Sequence, residues 1–434
     1  MSEITVGLIG FGVMLLLFAL RVPISFAMAI VGFAGFGYLV SPKAAFTLVA
    51  HDIWYNFANY NYTVLPMFVL MGSLAYVSGI SDRLFSTCSI VMGKTRGGLA
   101  AASIGACAFF SAISGTTVGT AAAMGRVALP EMKKYGYDDS LATGCVAAGG
   151  SLGILIPPSS LMIIYGILTG QSIGKLFLAG IFPGILLTVL FLAVIVVLCH
   201  YNPRLAPAGE PTTWKEKLRA IRGISEAAIL FFLVLGGLLI GWFSPTQAGT
   251  AGAAGTLIIA LARRKLTWAG VRYVIRDTLD VCGLSMFIIF GAVVFGHFMA
   301  VSTIPMLLVE VVKVLPLPPE ASMGAIILMY LLAGFFMDAF GLMVLTVPII
   351  YPVVEALGFD LIWFGIVVML IIEMGVITPP VGINVYVIKG VAPDVPLESI
   401  FKGIFPFLAA EIVAAALLVF SPEIVTYLPS LMVY

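Results

Sequence analysis

GILIPPSS, Gly153 to Ser160, and GVITPPVG, Gly375 to Gly382, each sit inside a stretch apolar enough to cross a membrane, and they lie 222 residues apart. Proline has no backbone donor and clashes with the preceding helical turn, so two in a row end a helix. The chain therefore breaks a helix at membrane depth, twice, at matching places. That choice needs a physical reason, because bare backbone polar groups in hydrocarbon cost several kcal/mol each.

The composition sets the class. Hydrophobic residues make up 61% of the chain and charged residues 10%, with a mean hydropathy of +1.14. Soluble globular domains do not have that balance. Many windows of about 17–25 residues are nearly free of charge, the length that spans ~30 Å of hydrocarbon. Nothing alternates as the strands of a membrane barrel must. The reading is an all-α polytopic membrane protein. A net charge of +1 offers no nucleic-acid surface. The five cysteines stand singly in or beside apolar segments, with no metal spacing, and read as packing residues. Ile4 to Leu20 lacks a basic flank and a small-residue cleavage site, so it reads as a membrane helix and not a cleaved signal.

Hydropathy places ten crossings, at about 4–20, 22–40, 63–80, 139–170, 173–200, 224–243, 246–262, 279–300, 359–388 and 402–428. Segments 98–129 and 320–352 are apolar but interrupted at their centres, by Ser114-Gly115-Thr116-Thr117 and by Phe336-Met337-Asp338-Ala339. Both read as re-entrant hairpins. Segments 81–97, 263–278 and 301–318 read as interfacial connectors, and 201–223 as a basic linker. With the N-terminus outside, 19 of the 22 Lys and Arg residues, Lys94 among them, fall on the inner side. Only Lys43, Lys175 and Lys313 fall outside. This is a strong positive-inside bias. It opens the first hairpin inward and the second outward, and puts both termini outside.

A shift of 222 residues superimposes the two halves. Pro23 meets Pro245, Gly119 meets Gly341, Pro130 meets Pro352, Gly136-Tyr137-Asp138 meets Gly358-Phe359-Asp360, and Pro157-Pro158 meets Pro379-Pro380. With one residue of slippage, Gly180-Ile181-Phe182-Pro183 meets Gly403-Ile404-Phe405-Pro406. Each half holds five crossings and one hairpin. Five is odd, so the halves run oppositely through the membrane, an inverted-topology repeat of the kind found in secondary transporters. Broken helices facing hairpin tips near the midplane make a site where loose carbonyls can hold Na+ and helix N-termini can face an anion.

Ala112 to Gly166, AISGTTVGTAAAMGRVALPEMKKYGYDDSLATGCVAAGGSLGILIPPSSLMIIYG, resembles the large membrane subunit of tripartite ATP-independent periplasmic (TRAP) transporters. So do RVPISFAM, GFFMDAFGLMVLTVPIIYPV and EMGVITPPVGINVYVIKG. The resemblance covers essentially the whole chain. It implies a Na+-driven importer of an organic acid in a bacterial inner membrane, so that the termini placed outside by the charge asymmetry would be periplasmic. It also implies a separate small four-helix membrane subunit, a periplasmic solute-binding protein, and an elevator motion of a transport domain against a scaffold. The implied division is 1–62 scaffold, 63–200 arm, first hairpin and broken helix, 201–223 linker, 224–278 scaffold, and 279–434 arm, second hairpin and broken helix. Na+ is the coupling ion and no cofactor is expected.

Candidate ligands follow from placing each tip opposite its break. Ser114, Thr116, Gly153, Ile156 and Pro158 form a first Na+ site. Thr116 stands where the family usually has Ser, so a hydroxyl is kept. Gly334, Met337, Asp338, Gly375, Thr378 and Pro380 form a second. Asp338 is a carboxylate in an apolar run, with a helix cap as its structural alternative. Ser159, Ser160 and Asn384 follow the breaks and are the candidates for a substrate carboxylate, with inter-helix hydrogen bonding as the competing role.

Four further features carry less. Arg126 reads as an anchor at the base of its hairpin. Glu373 and Glu411 lie within crossings, and pairing inside the protein is the reading taken for both over a proton role. His51, His200 and His297 form no cluster, so no other metal site is expected. QSIGK, Gln171 to Lys175, has the wrong glycine spacing for a phosphate loop, with Leu176 where Ser or Thr belongs. A stand-alone ion-coupled carboxylate symporter of related fold is the alternative function. A channel or an intramembrane enzyme is a third reading.

Overall fold

The computed structural model describes residues 2–93, 95–207, 209, 212–314 and 317–432. Lys94 of the charge asymmetry, the ends of the two outer ranges (1, 433 and 434), and 208, 210, 211, 315 and 316 lie outside the described residues. Among those described, the regular structure is all helical. The first half runs α1 (Glu3–Ala19), α2 (Ile24–Leu39), α3 (Pro42–Phe57), α4 (Val64–Val77), α5 (Ile80–Met92), α6 (Gly98–Ser114), α7 (Thr117–Lys134), α8 (Asp139–Gly150), α9 (Leu152–Leu155), α10 (Ser160–Thr169) and α11 (Ile173–Tyr201). The linker holds α12 (Trp214–Ala220). The second half runs α13 (Ser225–Phe231), α14 (Gly237–Leu239), α15 (Pro245–Ala262), α16 (Trp268–Val301), α17 (Ile304–Val314), α18 (Pro319–Gly334), α19 (Ala339–Ala356), α20 (Leu361–Ile377), α21 (Ile383–Val391), α22 (Leu397–Phe420) and α23 (Glu423–Ser430).

The repeat read in the sequence is written into these boundaries. Shifted by 222, α7 coincides with α19 residue for residue, and α8 starts where α20 starts. The shared Gly-aromatic-Asp motif has a local cause. Gly136 and Gly358 take φ of +72° and +82° after their helices, a conformation that costs glycine nothing. Asp138 then caps α8, accepting from the Ser140 and Leu141 amides. Asp360 caps α20, accepting from the Trp363 amide at 2.7 Å. One motif ends a hairpin and starts a broken helix, in both halves.

The halves interlock. α10 packs on α19, the other half's hairpin, as α21 packs on α7. α11 packs on α20 as α22 packs on α8. One large apolar core therefore joins hairpins and broken helices of both halves. A second, smaller core is built mainly from α1, α2, α16 and α19.

Two elements differ from the sequence reading. Residues 268–278 of the expected connector and the crossing at 279–300 lie in one 34-residue helix, α16, so a boundary at 278 falls inside it. Its first half carries four charged residues, Arg272, Arg276, Asp277 and Asp280, but neither Gly nor Pro interrupts the ladder between them. Its repeat mate is divided: Asn59 caps a short turn between α3 and α4. α3 itself was left unassigned by hydropathy, being capped by Ser41 and more polar than its neighbours. α4 and α5 are bent by 64° at their junction, consistent with a connector beginning near residue 80.

By length and composition five helices can each cross a membrane, seven if each bent pair is one span. Five more apolar helices have 16 or 17 residues, or ~25 Å at 1.5 Å per residue. Large apolar side chains such as Leu16, Phe26, Phe46, Trp54, Phe232 and Phe420 lie on the outside. A surface of that kind belongs in lipid.

Candidate functional site

The first break is held by the first hairpin tip. Pro157 and Pro158, joined by a cis bond as are Pro379 and Pro380, stop α9, and Ile156 and Ser159 are extended. The tip turns at Gly115, φ +63°, and Thr116 is extended before α7 begins. The Ser160 amide donates to the Gly115 carbonyl at 3.0 Å. A Cβ on Gly153 would lie 2.3 Å from the Thr116 carbonyl oxygen, so only glycine admits this approach. Residues 114–117 and 153–160 are buried except for partial exposure at Thr116 and Ile156, and Val118, one residue further, is exposed. The Ser114 hydroxyl is engaged with Thr120 at 2.7 Å. Ser159 and Ser160 are buried, and the Ser159 hydroxyl has no partner.

The second break meets the second tip in the same way. A Cβ on Gly375 would lie 2.5 Å from the Gly334 carbonyl carbon. The Thr378 hydroxyl donates to the Met374 carbonyl, which leaves its lone pairs free. Asp338 caps α19, accepting from the Gly341 amide at 3.0 Å, so the cap foreseen for it is present. Met337 and Asp338 are half-buried, and Pro379 and Pro380 are exposed.

A cavity of about 380 Å³ brings the two tips together. Ser114 to Gly119 form one wall, Asp338 and Phe340 reach it from the second hairpin, and α4 and α16 close it with Ser73, Tyr76, Tyr273 and Asp277. Ser73 donates to Asp277 at 2.6 Å. Arg126 also lines the cavity, bonded to the Tyr76 hydroxyl and with its guanidinium carbon 5.5 Å from that ring's centre. It thus stands in the cavity wall, beyond the anchoring role read from the sequence. Ser73, Tyr76 and Asp277 were missed, because nothing in their local sequence says that α4 and α16 face a hairpin tip. Another cavity of similar volume lies near the linker, beside Phe85, Leu99, Tyr137 and Thr212, and contains no residue of either break.

Asn384 does not line the tip cavity. It is fully buried, donating to the Thr117 hydroxyl at 2.8 Å and the Ala147 carbonyl at 3.1 Å. Thr117 donates to Glu373 Oε1 at 2.9 Å. Neither carboxyl, Glu373 nor Glu411, meets a Lys, Arg or His among the described residues. Both oxygens of Glu411 are buried without a partner, so the expected pairing is met by hydrogen bonds for Glu373 and not for Glu411.

His51 and His297 converge, contrary to the sequence reading. They approach buried Asp52 at 3.5 and 3.4 Å from α3 and α16. Among the described residues no group of three or more His, Cys, Asp or Glu is placed to hold a metal ion.

Comparison with known proteins adds four findings. The family model "Tripartite ATP-independent periplasmic transporter, DctM component" matches residues 11–424. The C4-dicarboxylate TRAP transporter large permease protein DctM of Pseudomonas aeruginosa is 32% identical over 393 residues, 90% of this chain and 91% of that protein. The sialic acid TRAP transporter large permease protein SiaM of Vibrio cholerae is 28% identical over 97% of both chains. The crystal structure of the YdaH transporter of Alcanivorax borkumensis aligns with a TM-score of 0.66 at 15% identity, over 87% of this chain and 88% of that one, a likeness of fold.

Proposed function

The chain belongs to the DctM family of tripartite ATP-independent periplasmic transporters, and on that premise we propose that it imports an organic acid by Na+ symport in a bacterial inner membrane. Relatives carry C4-dicarboxylates or sialic acid in their names, and a small carboxylate of this kind is the proposed cargo. A small membrane subunit and a periplasmic binding protein are the proposed partners. The observation that carries the ion sites is the backbone contact of each Pro-Pro break with a hairpin tip, Gly153 on Thr116 and Gly375 on Gly334. A break leaves carbonyls and a half-helix N-terminus unpaired, and a tip pressed against it supplies further oxygens, the ligand set a small hard cation takes.

In this reading Ser114, Thr116, Gly153, Ile156 and Pro158 supply the first Na+ site. Gly334, Met337, Asp338, Gly375, Thr378 and Pro380 supply the second. Arg126, in the cavity between the tips, is placed to meet the cargo's carboxylate, with Ser159, Ser160 and Asn384 shaping the half-helix starts behind it. The hairpins and broken helices of both halves move as a body against 1–62 and 224–301, the second scaffold range reaching to the end of the unbroken α16, because the ions bind between elements that already interlock.

The test is uptake by the chain reconstituted with its small subunit and binding protein. An inward Na+ gradient should drive accumulation without ATP. Accumulation that ignores Na+ and follows a proton gradient alone would reject the reading, and uptake by this chain without either partner would point to a stand-alone symporter.

A further inference from the structure

The tip cavity carries two opposite charges that line the same space without meeting. Arg126, on α7, is the one basic side chain lining it among the described residues. Its guanidinium donates to the Tyr76 hydroxyl, with its carbon 5.5 Å from that ring's centre. A guanidinium has five donors in a planar fork, so one such bond leaves the others for a ligand. Asp277, on α16, lines the same cavity, and Ser73 of α4 donates to its Oδ2 at 2.6 Å. Neither Arg126 nor Asp277 makes an ion pair among the described residues, and the neighbouring Arg276 is paired with Asp280 instead. The remaining charged residue of the lining, Asp338, is committed to the α19 cap.

The helices fix where each charge sits. A Cβ on Gly72 would lie 2.8 Å from the Ser114 carbonyl oxygen, so α4 touches the first tip there. Ser73 and Asp277, bonded together, therefore mark the tip end of the cavity. Tyr76 follows one turn along α4, and Tyr273 lies one turn from Asp277 on α16; their ring centres are 5.5 Å apart. Arg126 reaches Tyr76 from α7, nine residues from Thr117, or ~14 Å along the helix. Its charge is thus at the end away from the tip. Much of the remaining lining is apolar, including Phe110, Leu161, Val281 and Ile288. The volume, about 380 Å³, is at the lower end of the range of small-molecule sites.

We infer that this cavity takes a monocarboxylate whose far end bears a hydrogen-bond donor, a hydroxyl or an ammonium group, and that Asp277 turns dicarboxylates away. The inference rests on the carboxylate import proposed above and narrows its cargo. The single carboxylate takes the free donors of Arg126, as a fork onto a fork. The carbon frame lies along the apolar lining. The far donor meets Asp277, where Ser73 engages one carboxylate oxygen and leaves the other to accept. A second carboxylate at that end would meet a like charge with no basic side chain beside it, the repulsive element by which a site rejects the wrong ligand. A plain alkyl end escapes the repulsion but leaves Asp277 without a donor.

Matched acids of four to six carbons test this, in series that end in a methyl, hydroxyl, ammonium or carboxylate group. Binding is read as the rise in unfolding temperature of the full chain in lipid nanodiscs, titrated with each acid in Na+ buffer. The hydroxyl and ammonium series should bind about tenfold more tightly than the methyl series, and the dicarboxylates about tenfold more weakly than it. Asp277→Asn should lift the dicarboxylates to the methyl series and cost the ammonium series its lead, while Arg126→Gln should weaken every series. Dicarboxylates that bind the wild type as well as the hydroxy acids overturn the inference, as does an unchanged ranking in Asp277→Asn. If that variant fails to fold, the wild-type ranking still decides, and Asp277→Glu must keep the dicarboxylates out. A chain that no series stabilises does not hold cargo in this cavity, which is equally fatal. Na+-driven uptake of a dicarboxylate would overturn this inference and leave the import reading standing; the expected ranking without Na+-driven uptake of any acid would do the reverse.

Discussion

The two breaks share a sequence pattern and a contact geometry, yet one is sealed and the other open. Pro157 to Ser160 are buried, whereas Pro379 and Pro380 are exposed, as is Phe336 at the facing tip, at 73%. The first tip turns on a left-handed glycine, Gly115; the second has Phe335, right-handed, and instead anchors α19 with the Asp338 cap. At the second break the left-handed glycine moves into the break itself, Gly382 at φ +52°. A repeat can thus conserve where the chain breaks while varying what surrounds the break. In the transporter reading this difference is the mark of one conformation, with one ion site enclosed and the other accessible.

Thiol labelling should show the largest contrast. With the five native cysteines replaced, a cysteine at Val381 should react readily with an aqueous reagent and one at Ser159 should not. Comparable rates would mean that the first break is not sealed. Conditions that drive the transport cycle should narrow the gap.

Next in size is packing. Gly153→Ala drives a methyl into the buried Thr116 carbonyl and should cost about 2–3 kcal/mol, the upper part of the overpacking range. Gly375→Ala meets the Gly334 backbone, but its hairpin tip is half-exposed and can yield, so about 1 kcal/mol is expected. Thermal unfolding of the two purified variants in the same detergent decides this. Equal losses would break the comparison.

Thr116→Ala and Thr378→Ala should each raise the Na+ concentration for half-maximal uptake about fivefold, the effect of one lost ligand worth ~1 kcal/mol, with unfolding temperatures near wild type. Unchanged Na+ titrations in both would remove these residues from the ion sites.

The smallest effect is expected at the surface. Lys133, at the end of the first hairpin, bonds to Asp394 beyond α21 and holds its carboxyl below the ordinary value, helped by a backbone hydrogen bond. A depressed carboxylate stabilises above its unfolded titration and loses that contribution as pH falls through the folded one. Both side chains are solvated, so Asp394→Asn should leave the melting temperature at neutral pH almost unchanged and only flatten its decline in acid. A marked loss at neutral pH would show that this link between hairpin and broken helix matters more than its exposure suggests.

Much was legible beforehand because it is local. Pro-Pro ends a helix wherever it falls, Gly-aromatic-Asp ends one helix and caps the next, and a shift of 222 exposes both without any tertiary knowledge. α3 was not legible by hydropathy, since its cap and propensity, and not its apolarity, make it a helix. The join within α16 was not legible either, because charge on an exposed face does not interrupt a helix. For the site, the tips and breaks were readable as partners. Arg126, Ser73 and Asp277 as cavity walls, and Asn384 as a buried tie, were not.

By itself the sequence determined a membrane-embedded helical chain, its repeat, its two breaks, its two hairpins and the family to which it belongs. These follow from composition and from the intrinsic conformational limits of proline, glycine and capping residues. Only the tertiary structure decided that α10 would pack on α19 and α21 on α7, that one break would be closed and the other open, and that Glu373 and Glu411 would both be buried without an ion pair among the described residues. Those outcomes depend on contacts between residues far apart in the chain, and side-chain burial is a property of the assembled helices, not of any one segment.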